Sequence, residues 1–238
     1  MSMRMLVLVV VVACGGGGGG GDDVGGGLAD APAASTITIT LTGKAEEQSA
    51  TGATPAQGVV VEAFITSDET TAIASTTTDA KGNYTLTVET STALDGFLKA
   101  TKAGLMTTYL YPPKPLAEDF DGAALKLLAP TTFGLLADTL CGANHDAAKG
   151  AIAIVVYDAA NNAVTGAEIA STPSASKYCY NANGIPNRTA TKTDADGVGY
   201  MFNVTGEVSV AATKAGTTFA AHGVTARAGA LTTTLIAP

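Results

Sequence analysis

The chain has 238 residues with a formal net charge of −8, and 46% of its residues are hydrophobic. The acidic excess argues against nucleic acid or an anionic lipid surface as the main partner. The length allows one large domain or two ordinary ones.

The N-terminus has the pattern of an export signal. Arg4 precedes an apolar stretch over residues 5–13, which is shorter than the roughly 20 residues that a membrane-spanning helix needs. The stretch ends in Val11-Val12-Ala13-Cys14, which resembles the lipobox of bacterial lipoproteins. The resemblance implies a signal peptide over residues 1–13 and a diacylglycerol on Cys14. An ordinary secretory signal with a chance cysteine is the alternative.

A glycine-rich segment follows the proposed lipid attachment site. Residues 15–21 are all glycine, and three further glycines occupy positions 25–27. Such a segment has too little apolar surface to fold, so we expect residues 14–34 to form a flexible tether. Gly15 stands where enteric inner-membrane lipoproteins carry a retention Asp, which favours the outer membrane. The expected partner of Cys14 is therefore the membrane of the cell envelope.

The rest of the chain alternates between apolar and polar residues. Ile37, Ile39 and Leu41 are separated by threonines, as is typical of half-buried strands. The same alternation recurs in four further runs: residues 84–88, 152–156, 208–212 and 231–235 (Leu231, Thr233 and Leu235 on one face). Turn residues such as Gly82 and Gly197 separate these runs, which predicts an all-β fold.

The chain also contains an internal repeat. Thr78-Asp79-Ala80-Lys81-Gly82 is followed 115 residues later by Thr193-Asp194-Ala195-Asp196-Gly197. Ala-Thr-Lys-Ala-Gly occurs at residues 100–104 and again at 212–216. Two ordered matches at nearly one offset predict two copies of one domain-sized module.

These motifs resemble the carboxypeptidase regulatory-like family. The resemblance rests on an opening strand, Gly58-Val59-Val60-Val61, the Thr-Asp-Ala-x-Gly turn and a strand ending in Lys-Ala-Gly. It implies two tandem seven-stranded Greek-key β-sandwiches of transthyretin-like or immunoglobulin-like type, over residues 35–130 and 149–238. The turn residues have structural roles, with Asp79 and Asp194 expected to accept main-chain hydrogen bonds.

Two segments depart from the repeat. Phe133, Leu136, Ala137 and Leu140 have helical spacing, which predicts a short helix in a linker over residues 131–148, capped by Thr132 and ended by Gly142. The second copy also carries an inserted segment, residues 171–188, which we expect to be a polar loop.

The chain has three cysteines, so lipidation of Cys14 would leave an even number, Cys141 and Cys179. In an oxidising compartment such a pair predicts a disulfide. Two buried free thiols, or a metal site with His145, are the alternatives.

Catalytic chemistry has few candidates. His145 and His222 lack the companions of a nucleophilic triad or a zinc site. Asp194-Ala195-Asp196-Gly197 matches the first positions of a calcium-binding loop, but Val198 stands where a third ligand belongs, which favours a simple turn. We therefore expect no catalytic centre, no cofactor and no metal.

Two classes of function fit these observations. The first is a non-catalytic envelope protein whose modules act as spacers or adhesion modules. In this reading Tyr178 and Tyr180, held by the disulfide, form a binding loop for a glycan or an envelope protein, unless they only pack under the loop. The second is an accessory subunit of an envelope peptidase or an outer-membrane transport complex.

Overall fold

The first half of the chain forms two facing sheets. The computed structural model describes residues 36–49 and 52–238. In its first half (residues 36–128) the strands are β1 (Ile37–Ser49), β2 (Gly52–Pro55), β3 (Val60–Ile65), β4 (Ala74–Thr77), β5 (Asn83–Thr90), β6 (Gly96–Thr101), β7 (Thr108–Tyr111) and β8 (Leu125–Leu128). One sheet holds β2, β1 and β5, with β8 parallel to β1, and the other has the order β4-β3-β6-β7. Alternating residues such as Ile39 and Val61 fill the core between them.

The second half (residues 150–238) repeats this arrangement. Its strands are β9 (Gly150–Val156), β10 (Glu168–Thr172), β11 (Lys177–Ala182), β12 (Ile185–Asn187), β13 (Val198–Val204), β14 (Gly206–Lys214), β15 (Thr217–Thr218), β16 (His222–Ala226) and β17 (Leu231–Ile236). The first strand, β9, pairs antiparallel with β13 and parallel with β17, just as β1 pairs with β5 and β8. Strands β10, β15 and β16 all pair with β14 in a second sheet.

One sheet runs through both halves. Strand β17 pairs in parallel with β7, starting at Leu231 opposite Thr108. The result is a nine-stranded sheet in the order β12-β11-β13-β9-β17-β7-β6-β3-β4. Strand β17 is central in this sheet, and its buried positions include Thr232, Thr234 and Ile236. The alternation expected for Leu231, Thr233 and Leu235 is therefore wrong in phase: the opposite face is the more buried one, and of the three predicted residues only Leu231 is buried.

A helical segment joins the halves. An α-helix, α1 (Pro130–Gly134), continues as one stretch of π-helix over Leu135–Leu140. The predicted cap at Thr132 is wrong, because Ala129 occupies the cap position. The helix begins at Pro130, a residue well suited to the first helical turn, so Thr132 lies inside the helix. Gly142 does end the segment with a positive φ of 65°. None of the helices in the described part of the chain is long and apolar enough to cross a membrane.

The inserted segment is mostly strand. Residues 177–182 and 185–187 form β11 and β12 at one edge of the long sheet, where β11 pairs with β13. The expectation of a polar loop over 171–188 is therefore wrong for most of the segment, because strand pairing orders it and Cys179 and Tyr180 are buried, although Ile185 stays exposed. The described first half contains eight strands and the second half nine.

Candidate functional site

The proposed lipid attachment site lies outside the described residues. Cys14, the signal peptide over 1–13 and the tether over 14–34 all fall in this part of the chain. Their assignment rests on the sequence pattern alone.

The predicted disulfide is confirmed. Cys141 and Cys179 are bonded, with 5.6 Å between their Cα atoms, and both residues are fully buried. The bond ties the end of the helical segment to the middle of β11. Phe133 and Phe202 lie in the same apolar cluster, so packing and the covalent link act at one place.

Tyr178 and Tyr180 both turn toward the body of the second half. Tyr180 is 5% exposed, and its hydroxyl accepts a hydrogen bond from the main-chain N–H of Ile169 at 3.0 Å. The Tyr178 hydroxyl lies 3.0 Å from Ser171 Oγ and accepts from the N–H of Ala175. Burial raises the pKa of Tyr180. Their positions match the alternative in which they pack under the loop, and a role of half-buried Tyr178 in binding stays a prediction.

The two histidines have different surroundings. His145 Nδ1 lies 2.6 Å from Asp138 Oδ2, and its main-chain N–H also binds that carboxylate, which lowers the pKa of Asp138. The ring of His145 packs edge-on against Phe133. Burial lowers the pKa of His222, whose ring lies edge-on to Tyr111.

The repeated turn has the same hydrogen bonds in both halves. Thr78 Oγ1 donates to the carbonyl of Ala56 at 2.6 Å and accepts from the N–H of Val59 at 2.9 Å. Thr193 Oγ1 does the same with Val164 and Ala167, at the same two distances. Both threonines are buried, so each hydroxyl satisfies main-chain groups that water does not reach.

The glycine that ends each copy of this turn is also required. Gly82 and Gly197 have φ values of 78° and 68°. A Cβ on Gly82 would lie 2.4 Å from the carbonyl oxygen of Ala45, and one on Gly197 would lie 2.6 Å from that of Val156. Both the backbone conformation and the close approach therefore exclude a side chain.

The aspartates in these turns differ. Asp79 Oδ1 accepts main-chain hydrogen bonds from Lys81 and Asn83 within its own turn, as expected. Asp194 Oδ2 instead accepts from the N–H of Asn183, which follows β11. The inserted strand therefore changes the environment of the second turn.

An aromatic cluster with one arginine lies where the halves meet. We call it the junction cluster; it consists of Phe64, Phe97, Tyr109, Tyr111 and Arg227. Phe97 stacks on Phe64 and on Tyr111, with ring centroids 5.4 and 5.0 Å apart. The Arg227 guanidinium carbon lies 4.0 Å from the centroid of Tyr109 and 4.8 Å from that of Phe97.

Arg227 is also paired with an acid across the junction. Its Nη2 lies 2.7 Å from Glu69 Oε1 and donates to the Tyr111 hydroxyl at 3.0 Å. Burial opposes its charge, but these hydrogen bonds outweigh burial and raise the pKa of Arg227. Side chains of β17 add two more bonds, from Thr233 and Thr234 to carbonyls of β7.

The junction cluster was not anticipated from the sequence. A signal for it was present in three pairs of adjacent apolar residues, Ala63-Phe64, Phe97-Leu98 and Leu110-Tyr111. Such pairs break a period of two, which indicates a strand whose second face is also covered. Phe64, Phe97 and Tyr111 belong to the buried cluster of the second half, although the first half supplies them.

Within residues 36–49 and 52–238, no three His, Cys, Asp or Glu side chains are grouped closely enough to hold a metal ion. The concave surfaces of the described chain include a depression of about 320 Å³ beside Glu168 and Lys214, and one of about 410 Å³ beside Asn181 and Asp194.

No protein-family model and no curated protein matches the sequence. Solved structures similar to this chain include the Bacillus anthracis TIE protein, at 13% identity and a TM-score of 0.27 over 84% of this chain. Others are the shaft pilin SpaA from Lactobacillus rhamnosus GG (14% identity, TM-score 0.26, 86% of this chain and 98% of that one) and GBS52, the minor pilin of Streptococcus agalactiae (13%, 0.26, 84% and 94%). This chain spans 33% of the length of the Bacillus anthracis protein. TM-scores this low carry no argument about its function.

Proposed function

We propose that this chain is a non-catalytic protein of the cell envelope: a rigid spacer, held by a lipid on Cys14, that displays its loops for adhesion. The observation that carries the proposal is the sheet shared by the two halves. Parallel pairing of β7 with β17 ties the two halves directly to each other, whereas tandem domains are usually held together by a flexible linker alone. A body of this kind keeps its two ends at a fixed separation.

The two halves are proposed to be tandem carboxypeptidase regulatory-like sandwiches. Support comes from the repeated turn. Thr78 and Gly82 contact positions in the first half that are equivalent to those that Thr193 and Gly197 contact in the second. The parallel return of β8 to β1, and of β17 to β9, repeats the same topology. Identical side-chain roles at equivalent positions favour duplication of one module.

The junction cluster supports a spacer with no hinge. Arg227 contacts side chains of the first half through stacking, an ion pair and a hydrogen bond. Stacking of a partly desolvated guanidinium on aromatic rings contributes about 0.5–2 kcal/mol. These contacts add to the main-chain bonds of the parallel pair.

Rigidity can be measured with spin labels on the full chain carrying Cys14→Ser. Cysteines are introduced at Thr85 on β5 and Glu207 on β14, which are both exposed. We expect one narrow distance distribution, because a shared sheet leaves no hinge. A second label pair, at Thr85 and Val60, lies within the first half. Its distance distribution gives the width expected for two rigidly connected positions.

A broad or bimodal distance between the halves, with a narrow one inside the first half, would contradict the spacer. Recovery of a stoichiometric hydrolase or transporter with the solubilised protein would instead support the accessory-subunit alternative.

A further inference from the structure

The two halves leave different sheet edges open. In the first half the strand that follows β3 is β4, which pairs with β3, so β5 pairs only with β1. In the second half the strand that follows β10 is β11, which pairs with β13 instead, so β10 pairs only with β14. Strand β5 has eight residues and is the longest edge strand in the described part of the chain.

The open edge of β10 is capped from within the chain. The Tyr180 hydroxyl accepts a hydrogen bond from the N–H of Ile169 at 3.0 Å, and the Tyr178 hydroxyl accepts one from the N–H of Ser171 at 3.2 Å. Both tyrosines lie on β11. An unpaired edge is a template for a further strand, and proteins usually block it. In the second half, the two tyrosines supply this block.

The edge of β5 has no equivalent cap. On β1, Thr40 and Thr42 direct their main-chain groups toward the segment before β8 and not toward β5. Because this direction alternates along a strand, the residues opposite them, Thr87 and Thr85, direct their N–H and C=O groups away from β1, and so does Glu89. These six groups have no protein partner within residues 36–49 and 52–238.

The open groups are symmetric about Thr87. Thr85 and Glu89 lie two residues to either side, whereas the main-chain N–H and C=O of Asn83 already bond to Asp79. A second β5, laid antiparallel with its Thr87 opposite the first Thr87, would therefore satisfy all six groups on each copy. Glu89 is the only charged residue of the strand and would lie opposite Thr85, so no like charges would face each other.

We propose that the edge of β5 binds a second copy of this chain, strand to strand, and forms a two-fold dimer. The pairing of β11 with β13 is the equivalent within one chain, since β13 has the place in the second half that β5 has in the first. The same surface of both copies forms such an interface, with Thr87 at the two-fold axis.

The dimer depends neither on the spacer nor on a lipid at Cys14. Its test can therefore fail while the proposed function stands, and the reverse also holds. In the spin-label measurement, labelled chains are diluted with unlabelled ones, so that distances between copies do not contribute.

Cysteine crosslinking tests the register of the two strands. The full chain with Cys14→Ser has no free thiol, because Cys141 and Cys179 are bonded to each other. In Thr87→Cys the new thiols of two copies would face each other, with Cα atoms about 5.5 Å apart, which suits a disulfide. In Thr85→Cys, the matched change on the same strand, they would be about 14 Å apart. Mild oxidation should produce a linked dimer of Thr87→Cys, and Thr85→Cys should lose it.

A proline variant tests association without a crosslink. Thr87→Pro removes an N–H that points away from β1, so the single chain should still fold, as circular dichroism can check. In sedimentation equilibrium the average mass of the Cys14→Ser chain should rise with concentration toward that of two chains. Thr87→Pro should lose this rise. If Thr87→Pro does not fold, the two cysteine variants decide.

The dimer would be ruled out by a Cys14→Ser chain that stays monomeric at every concentration. It would also be ruled out if a folded Thr87→Pro chain associates as strongly as its parent, or if Thr85→Cys is linked as readily as Thr87→Cys. An edge that takes a strand of another protein in place of its own copy would give the first of these results.

Discussion

Thr78 and Thr193 show at the scale of single residues how the sequence determines the fold. Each is a threonine followed by an aspartate, and each has its hydroxyl inside the protein between a carbonyl and an N–H of another segment. The hydroxyl fixes the segment before β3 or β10 against the turn. A residue type common on strand surfaces therefore has a structural role inside.

Replacing Thr193 by Val should destabilise the protein by about 1–3 kcal/mol, because the nearly isosteric side chain leaves a buried N–H and a buried carbonyl unpaired. Thr78→Val should have a similar effect, since its two bonds have the same lengths. Urea unfolding measures both. Thr85→Val, on the exposed face of β5, is the control and should change stability by less than about 0.5 kcal/mol. Wild-type stability in Thr193→Val would show that the hydroxyl is dispensable.

At the scale of elements, the helical segment depends on its surroundings. It has only eleven residues from Pro130 to Leu140, and no side-chain cap bonds its first turn. An isolated helix of this length is marginal in water. Phe133 and Ala137 bury one face in a cluster with the disulfide, and Asp138 binds the N–H of His145 beyond the segment. Packing and the cross-link hold the segment in place.

The variant Cys141→Ser/Cys179→Ser tests that dependence. The bond closes a separation of 38 residues, for which the chain-entropy relation gives about 4 kcal/mol. We expect the free energy of unfolding to fall by about 2–4 kcal/mol. Denaturant unfolding of the wild type in reducing agent should show the same loss. An unchanged unfolding midpoint in the double variant would mean that apolar packing alone holds the segment.

At the scale of the whole molecule, the two halves share a sheet and part of a core. Strand β17 closes the second half and also extends the sheet of the first half through β7. Phe97 and Tyr111 of the first half pack in the apolar cluster of the second. In the proposed function a lipid on Cys14 attaches this body to the membrane.

Cys14→Ser tests the anchorage of the whole molecule. We expect cells that express the wild-type chain to incorporate labelled palmitate into it, and the variant to incorporate none. The variant should also move from the membrane fraction to the soluble fraction, since a lipid anchor contributes about 0.8 kcal/mol for each buried methylene. Protease treatment of intact cells reports which face the body occupies. An unlabelled wild-type protein would contradict lipidation.

Much of the local structure could be predicted from the sequence. Period-two runs such as 37–41 and 84–88 are strands, because a half-buried strand requires that spacing. The disulfide was predicted from the number of cysteines. The segment with Tyr178 and Tyr180 was predicted as a loop but is strand β11. No local sequence pattern shows which strand a segment will pair with.

The sequence by itself determined the all-β class, the repeated turn with its required glycine, and the cysteine pair. Each can be recognised locally or by counting. The all-β class follows from side-chain alternation, the turn glycine from a positive φ, and the disulfide from an even number of cysteines in an oxidising compartment. The tertiary structure alone decided that β7 pairs with β17, that the Arg227 guanidinium packs against the rings of Tyr109 and Phe97, and that Arg227 pairs with Glu69. These contacts join residues far apart in the chain, and their free energy comes from surfaces that become neighbours only once both halves have folded.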